Sequence, residues 1–115
     1  MGKRVFMFPG QGSQYIGMGK EFYDIMPNAK AVIDLASEQT GLDIPALCFE
    51  ENDKLNITEY TQICMLAVEA AIYQAIIDKG ITPDVTAGLS LGEYGALIAS
   101  GAMTMADAFA VVRKR

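Results

Sequence analysis

The chain contains no histidine. Imidazole is the commonest metal ligand and the most frequent general base near neutral pH. His-based metal sites are therefore excluded within these residues. Cysteine is scarce: Cys48 and Cys64 stand sixteen positions apart and form neither a CxxC pair nor a zinc pattern. They read as reduced thiols of a cytoplasmic protein rather than as a disulfide framework. Basic residues are outnumbered, nine against fourteen acidic ones, giving a formal charge of −5. Nucleic-acid binding usually requires a basic surface, so no such partner is expected. An anionic partner would need a local patch, such as Arg113-Lys114-Arg115 or the smaller Lys3-Arg4. The apolar run Val5-Phe6-Met7-Phe8 is too short for a signal peptide or a membrane span. Phe6 also breaks the myristoylation pattern that Gly2 would open. The expectation is a cytoplasmic protein with no membrane partner, no metal and no bound cofactor.

What is present is the composition of a folded domain: 51% hydrophobic and 20% charged residues over 115 positions. Repeats, low-complexity tracts and linkers are lacking. Val5 to Phe8, stopped by Pro9-Gly10, reads as a buried strand. A glycine-rich connection follows through Gly10, Gly12, Gly17 and Gly19. A helix starting near Met18 covers Glu21 to Ile25 and stops before Pro27. Asn28 caps a second helix, with Ala31, Val32, Leu35 and Ala36 on one face and Gly41 as its stop. The stretch from Leu42 to Lys54 is ambiguous. From about Thr58 to Lys79 the pattern is strongly helical, with Ile63, Leu66, Ala67, Ala70, Ala71, Gln74 and Ile77 on one face and Gly80 just past its end.

Pro83 precedes a short strand, roughly Asp84 to Ala87. Gly88 to Gly92 form a sharp corner, Glu93 to Ser100 a helix, and Gly101 its stop. Thr104 and Asp107 resemble a capping box that opens a last helix through Phe109, Val111 and Val112 to Arg115. That helix has no stop signal, which reads as a truncation. Strands alternating with helices favour an α/β architecture with a parallel sheet, and further strands are needed to complete it.

Gly88-Leu89-Ser90-Leu91-Gly92 fits G-x-S-x-G between an expected strand and an expected helix. In a nucleophile elbow a sharp strand-to-helix turn exposes the serine hydroxyl, and the flanking glycines leave room for that turn. The free N–H groups of the following helix favour a developing negative charge, so an oxyanion formed by attack of Ser90 would lie near the N–H of Leu91. An incidental serine in a glycine-flanked turn fits the same five residues; the strand before and the helix after favour the elbow. Pro9-Gly10-Gln11-Gly12-Ser13-Gln14 follows the first strand, where this class of elbow takes its second oxyanion donor, a role suited to Gln11. A phosphate-binding loop is disfavoured, because no Walker lysine follows and the third glycine of the dinucleotide fingerprint is missing. Glu93 and Tyr94 adjoin the elbow; Glu93 could act as a base, but it reads better as an electrostatic aid to its helix start.

Together, Phe8-Pro9-Gly10-Gln11-Gly12-Ser13-Gln14 and Gly88-Leu89-Ser90-Leu91-Gly92-Glu93-Tyr94 resemble the acyltransferase family. This family includes the malonyl-CoA:acyl-carrier-protein transacylases of fatty-acid synthesis and the acyltransferase domains of polyketide synthases. The resemblance spans residues 1–115 as an N-terminal segment of the large acyltransferase subdomain, about the first third of a typical member. It implies an α/β-hydrolase-like core with parallel strands, and a ferredoxin-like subdomain that this chain lacks. It implies Ser90 as the acyl-accepting nucleophile, the backbone N–H groups of Gln11 and Leu91 as the oxyanion hole, and malonyl-CoA and acyl carrier protein as partners. Gln62 matches a family glutamine that lines the active site. Arg115, 25 residues after Ser90, matches an arginine that grips the malonyl carboxylate, for which a guanidinium offers a bidentate fork; from residue chemistry alone Arg115 reads as a solvated helix end. Leu89 and Ile63 stand where the family usually has histidine and proline. The family's catalytic histidine lies downstream of Arg115, so the chain alone is expected to be inactive. A serine hydrolase of the esterase type, and a non-catalytic binding module or split subunit, are the competing readings.

Overall fold

The computed structural model describes residues 5–8, 10, 12, 14–83, 85–88 and 91–114. Among them the order is β1 (Val5–Phe8), α1 (Lys20–Ile25), α2 (Pro27–Thr40), α3 (Ile44–Phe49), α4 (Thr58–Asp78), β2 (Val85–Gly88), α5 (Gly92–Ala99) and α6 (Met105–Lys114). The two strands pair in parallel, with Val5 opposite Val85 and Phe8 opposite Gly88. The α/β reading with parallel strands holds.

The core is built around α4. Thr61 and every residue from Ile63 to Ala71 are buried, as is Ala75. Over Ile63–Ala71 the expected one-sided stripe is thus too narrow, the helix being enclosed on every side there, whereas Gln74 and Ile77 of the expected face are only half-buried. α4 is also long and apolar enough to cross a bilayer, but here α1, α2, α3, α5 and α6 pack against it. Ile33, Ile44 and Phe109 are fully buried around it, as is Leu66 within it.

Local chemistry explains most boundaries. Gly41 and Gly80 adopt φ +72° and +81°, the left-handed conformation that ends helices at glycine. Asp43 caps α3, its carboxylate accepting the Ala46 N–H at 3.1 Å, which resolves the ambiguous stretch. Thr104 accepts the Asp107 N–H at 3.2 Å, the N-cap half of the expected box.

Three expectations are corrected. α2 begins at Pro27 rather than after Asn28: proline's fixed φ suits the first helical position, where no N–H is needed. Asn28 instead donates from Nδ2 to Asp78 at 2.8 Å, joining α2 to the end of α4. The buried face of α2 is Ala29, Val32, Ile33 and Ala36, with Ala31 exposed and Leu35 half-buried. β1 is not buried along its length: Val5 is 53% and Met7 80% exposed, while Phe8 is buried. Among the described residues the strand has a neighbour on one side only, so its apolar run lacks the second covering that such runs normally have. On α6, Val111 is exposed while Ala108, Phe109 and Val112 face the core.

Candidate functional site

Parallel pairing decides where the two sequence motifs meet. Phe8 and Gly88 are register partners at the C-terminal ends of β1 and β2. The glycine-rich segment after β1 and the turn after β2 therefore leave the sheet at the same end. In open α/β sheets this end is where ligand sites form.

The end of β2 and the start of α5 approach closely. A Cβ on Gly88 would lie 2.0 Å from the Gly92 carbonyl oxygen and 2.5 Å from the Glu93 nitrogen. Strand end and helix start thus touch backbone to backbone, a contact open to glycine alone. Leu91 is in the turn, 1% exposed, in right-handed helical conformation at the N-cap of α5. Gly92 is buried beside it, Glu93 exposed and Tyr94 half-buried. One turn along α5, a Cβ on Gly95 would lie 2.5 Å from the Phe8 ring, so α5 lies close over β1. Thr86 Oγ1 adds a hydrogen bond to the Ala96 carbonyl at 3.2 Å.

The segment after β1 is anchored from the opposite direction. Gln14 accepts the Gly12 N–H at Oε1 (2.8 Å) and donates from Nε2 to Asn56 Oδ1 (3.0 Å). Gly17 donates its N–H to the Cys48 carbonyl at 2.7 Å. The Gln14 bridge ties the segment to the residues just before α4. There Gln62 is half-buried on the first turns of α4. Its neighbour Thr61 is fully buried, and its hydroxyl donates to the carbonyls of Leu55 and Ile57, fixing the way the chain enters the helix.

Of the expected site residues, Leu91 and Gln62 are placed as above; Ser90, Gln11 and Arg115 lie outside the described residues. Arg113 and Lys114 close α6 at its C-terminal end, where cations meet the negative end of the helix dipole. Cys48 and Cys64 are free and buried; a hydrogen bond with the Cys64 thiol, and burial, push the Cys48 thiol up. Among the described residues no three His, Cys, Asp or Glu side chains cluster as a metal site.

One polar residue escaped the sequence reading. Glu69 is 9% exposed in the middle of α4, and neither carboxylate oxygen has a hydrogen-bond partner among the described residues. Burial raises its pKa from 4.5 to about 8. It lies against an apolar groove of about 420 Å³ between α4 and β1. The signal was present: a lone acid inside Leu66-Ala67-Val68-Glu69-Ala70-Ala71-Ile72 is out of place on a helix buried all round.

Similarity to known proteins follows the same lines. Over 116 residues the chain is 47% identical to the malonyl CoA-acyl carrier protein transacylase of Bacillus subtilis, covering 100% of this chain and 37% of that protein. It superposes on the crystal structure of a malonyl CoA-acyl carrier protein transacylase from Clostridium perfringens with a TM-score of 0.93 and 44% identity, covering 98% of this chain and 36% of that one. A malonyl-transacylase solved in complex with its type II polyketide synthase acyl-carrier protein is also similar, at TM-score 0.91 and 35% identity, with 98% of this chain and 37% of that one covered. The chain thus spans little more than a third of the length of these relatives. The acyl transferase domain family matches residues 5–115, and with both motif segments emerging at one end of a parallel sheet, the chain belongs to that family.

Proposed function

We propose that this chain is the N-terminal part of the large subdomain of an enzyme that moves a malonyl group from malonyl-CoA to the phosphopantetheine thiol of an acyl carrier protein in fatty-acid synthesis, in the cytoplasm. The observation that carries the reading is the parallel register of Phe8 with Gly88, which ends β1 and β2 side by side just before the two sequence motifs. The similarity to proteins bearing that activity supports it.

In this reading the Gly88 to Gly92 turn is a nucleophile elbow. Ser90 Oγ attacks the malonyl thioester carbonyl while its proton passes to a base. The N–H groups of Gln11 and Leu91 stabilise the oxyanion. Collapse of the tetrahedral intermediate expels coenzyme A as its thiol and leaves a malonyl-serine ester. The carrier-protein thiol then attacks that ester, and Ser90 recovers its proton, so the kinetics are ping-pong. Arg115 holds the malonyl carboxylate, and Gln62 lines the site from α4. The chain has no histidine, so the base comes from polypeptide outside these residues.

The test is to co-express the chain with the part of the Bacillus subtilis relative that follows its matched segment, add radiolabelled malonyl-CoA, and locate the label by peptide mass spectrometry. A malonyl ester on Ser90, lost in Ser90→Ala and discharged by carrier-protein thiol rather than water, is expected. Label on another residue, or faster discharge to water than to the thiol, overturns the reading; the latter outcome belongs to an esterase.

A further inference from the structure

The segment after β1 has little rigidity of its own. Gly12 and Gly17 adopt φ +114° and +94°, and a Cβ at either would meet nothing within 4 Å. Glycines in open space are the least restrained residues of a chain, so the course of this segment depends on ties to its surroundings. One such tie is the Gly17 N–H on the Cys48 carbonyl at 2.7 Å. A second acts beside Gln11. The Gly12 N–H, which lies in the peptide that follows Gln11, donates to Gln14 Oε1 at 2.8 Å, and Gln14 Nε2 donates to Asn56 Oδ1 at 3.0 Å.

This relay has a fixed sense. A backbone N–H can only donate, so Gln14 turns its amide oxygen to Gly12 and its NH₂ group to Asn56, which must present an acceptor. Asn56 in turn stands on a braced stretch of chain. The Asn52 side-chain oxygen accepts the N–H groups of Lys54 and Leu55 at 2.8 and 3.0 Å. The Ile57 N–H donates to the Lys54 carbonyl at 2.9 Å. The Thr61 hydroxyl reaches the carbonyls of Leu55 and Ile57, and Leu55 itself is buried. The backbone is thus pinned on both sides of Asn56, although its side chain is exposed. Water would satisfy an exposed amide nearly as well as Gln14 does, so what the pairing adds is placement. It ties Gly12 to the entry of α4, the helix that carries Gln62.

We infer that Gln14 and Asn56 are positioning residues for acyl transfer: their relay holds the peptide after Gln11 against the entry of α4 and so sets where the Gln11 N–H stands when the oxyanion forms. The inference rests on the reading of Gln11 as an oxyanion donor and adds two residues that act through it. Such a donor works by being in place before the charge develops, within about 0.5 Å of its productive position. A glycine-flanked donor without an external post must be brought into line during the reaction, at a cost in rate. The oxyanion exists only as the carbonyl is attacked, not in the bound thioester, so loss of the post slows turnover more than it weakens binding. The same donor serves attack on malonyl-CoA and attack on the malonyl-serine ester, so both half-reactions slow together and KM changes little.

The experiment joins the chain, in one polypeptide, to the part of the Bacillus subtilis relative that follows its matched segment. Malonyl transfer to carrier protein is then measured for Asn56→Leu, Asn56→Asp, Gln14→Met and the Gln14→Met/Asn56→Leu pair. Asn56→Leu is expected to lower kcat about tenfold, less than the roughly hundredfold or more lost with an oxyanion donor itself, with KM nearly unchanged. Asn56→Asp keeps the acceptor and recovers most of the loss. The double variant loses no more than Gln14→Met alone, because one relay is cut either way. In the chain by itself, Asn56→Leu speeds amide hydrogen exchange at Gly12 by about three- to tenfold, followed by NMR. Circular dichroism melting shows that each variant is folded before its rates are read. Losses that add in the double variant overturn the inference, as does an Asn56→Asp no better than Asn56→Leu. Gly12 exchange indifferent to Asn56→Leu overturns it as well, whatever the activity. No malonyl ester on Ser90 in the unaltered polypeptide defeats the proposed function and the positioning role with it, and the Gly12 exchange then tells separately whether the relay exists.

Discussion

Gly88 and Gly95 look alike in sequence but are glycines for different physical reasons. A Cβ at Gly88 meets backbone atoms of Gly92 and Glu93; one at Gly95 meets the Phe8 side chain. Backbone at a turn cannot step aside, whereas a ring can shift at the cost of repacking. We expect Gly95→Ala to cost about 1–3 kcal/mol, in the range of overpacked cores, and Gly88→Ala to cost more, as read from urea-unfolding midpoints. Equal losses would mean that the turn after β2 relaxes as easily as the core. Glu69 sets a pH dependence. Its folded pKa, about 8, lies above the ordinary 4.5, so between these values the folded state holds a proton that the unfolded state has released. Its contribution to stability is full below pH 4.5 and is lost as pH rises to 8. Within that window the slope from this group approaches about 1.4 kcal/mol per pH unit. Glu69→Gln is expected to flatten the stability–pH curve of the isolated chain there. Parallel curves for the two proteins would show that Glu69 does not carry this proton.

At the scale of elements, caps and core contacts differ in weight. The Asp43 carboxylate serves one N–H of the short helix α3, so Asp43→Ala is expected to cost about 1 kcal/mol. Phe109, the largest fully buried side chain, sits on α6, which packs against both α2 and α4. Phe109→Ala is expected to cost about 3–5 kcal/mol, enough to unfold a marginal chain, and thermal melting ranks the two directly. If Asp43→Ala proved the more damaging, α3 rather than the α2–α4–α6 contact would be the keystone of the packing. Gly41 and Gly80 ended their helices where the sequence placed the stops, because a left-handed residue is a local need that glycine alone meets cheaply. The start of α2 was misplaced because Pro27 and Asn28 both favour a helix beginning. The choice fell to Pro27, and the Asn28 side chain went to Asp78, fifty residues away, a pairing invisible to local patterns.

For the whole molecule, the Cα radius of gyration is 13.2 Å, close to the roughly 13 Å of a compact domain this size. Compactness coexists with a sheet of two strands, since the helices pack around α4 while β1, with Met7 80% exposed, has no second neighbour among the described residues. The isolated chain is therefore expected to self-associate as concentration rises. Met7→Lys, a charge of the kind that guards natural strand edges, is expected to restore a monomer in sedimentation velocity. A wild-type chain that stays monomeric at high concentration would count against an open, adhesive edge.

Sequence alone determined the identity and order of most elements, the glycine stops and the two motif segments, because helix periodicity, caps and tight turns are read over a few neighbouring residues. It also carried the family, since Phe8 to Gln14 and Gly88 to Tyr94 act as a pair. Tertiary structure alone decided that these segments leave one end of the sheet, because parallel register joins residues eighty positions apart. It decided too that α4 is enclosed on nearly all sides, that β1 is half bare, and that Glu69 lies buried without a partner. Burial depends on which elements pack over a residue, and those elements are distant in the chain.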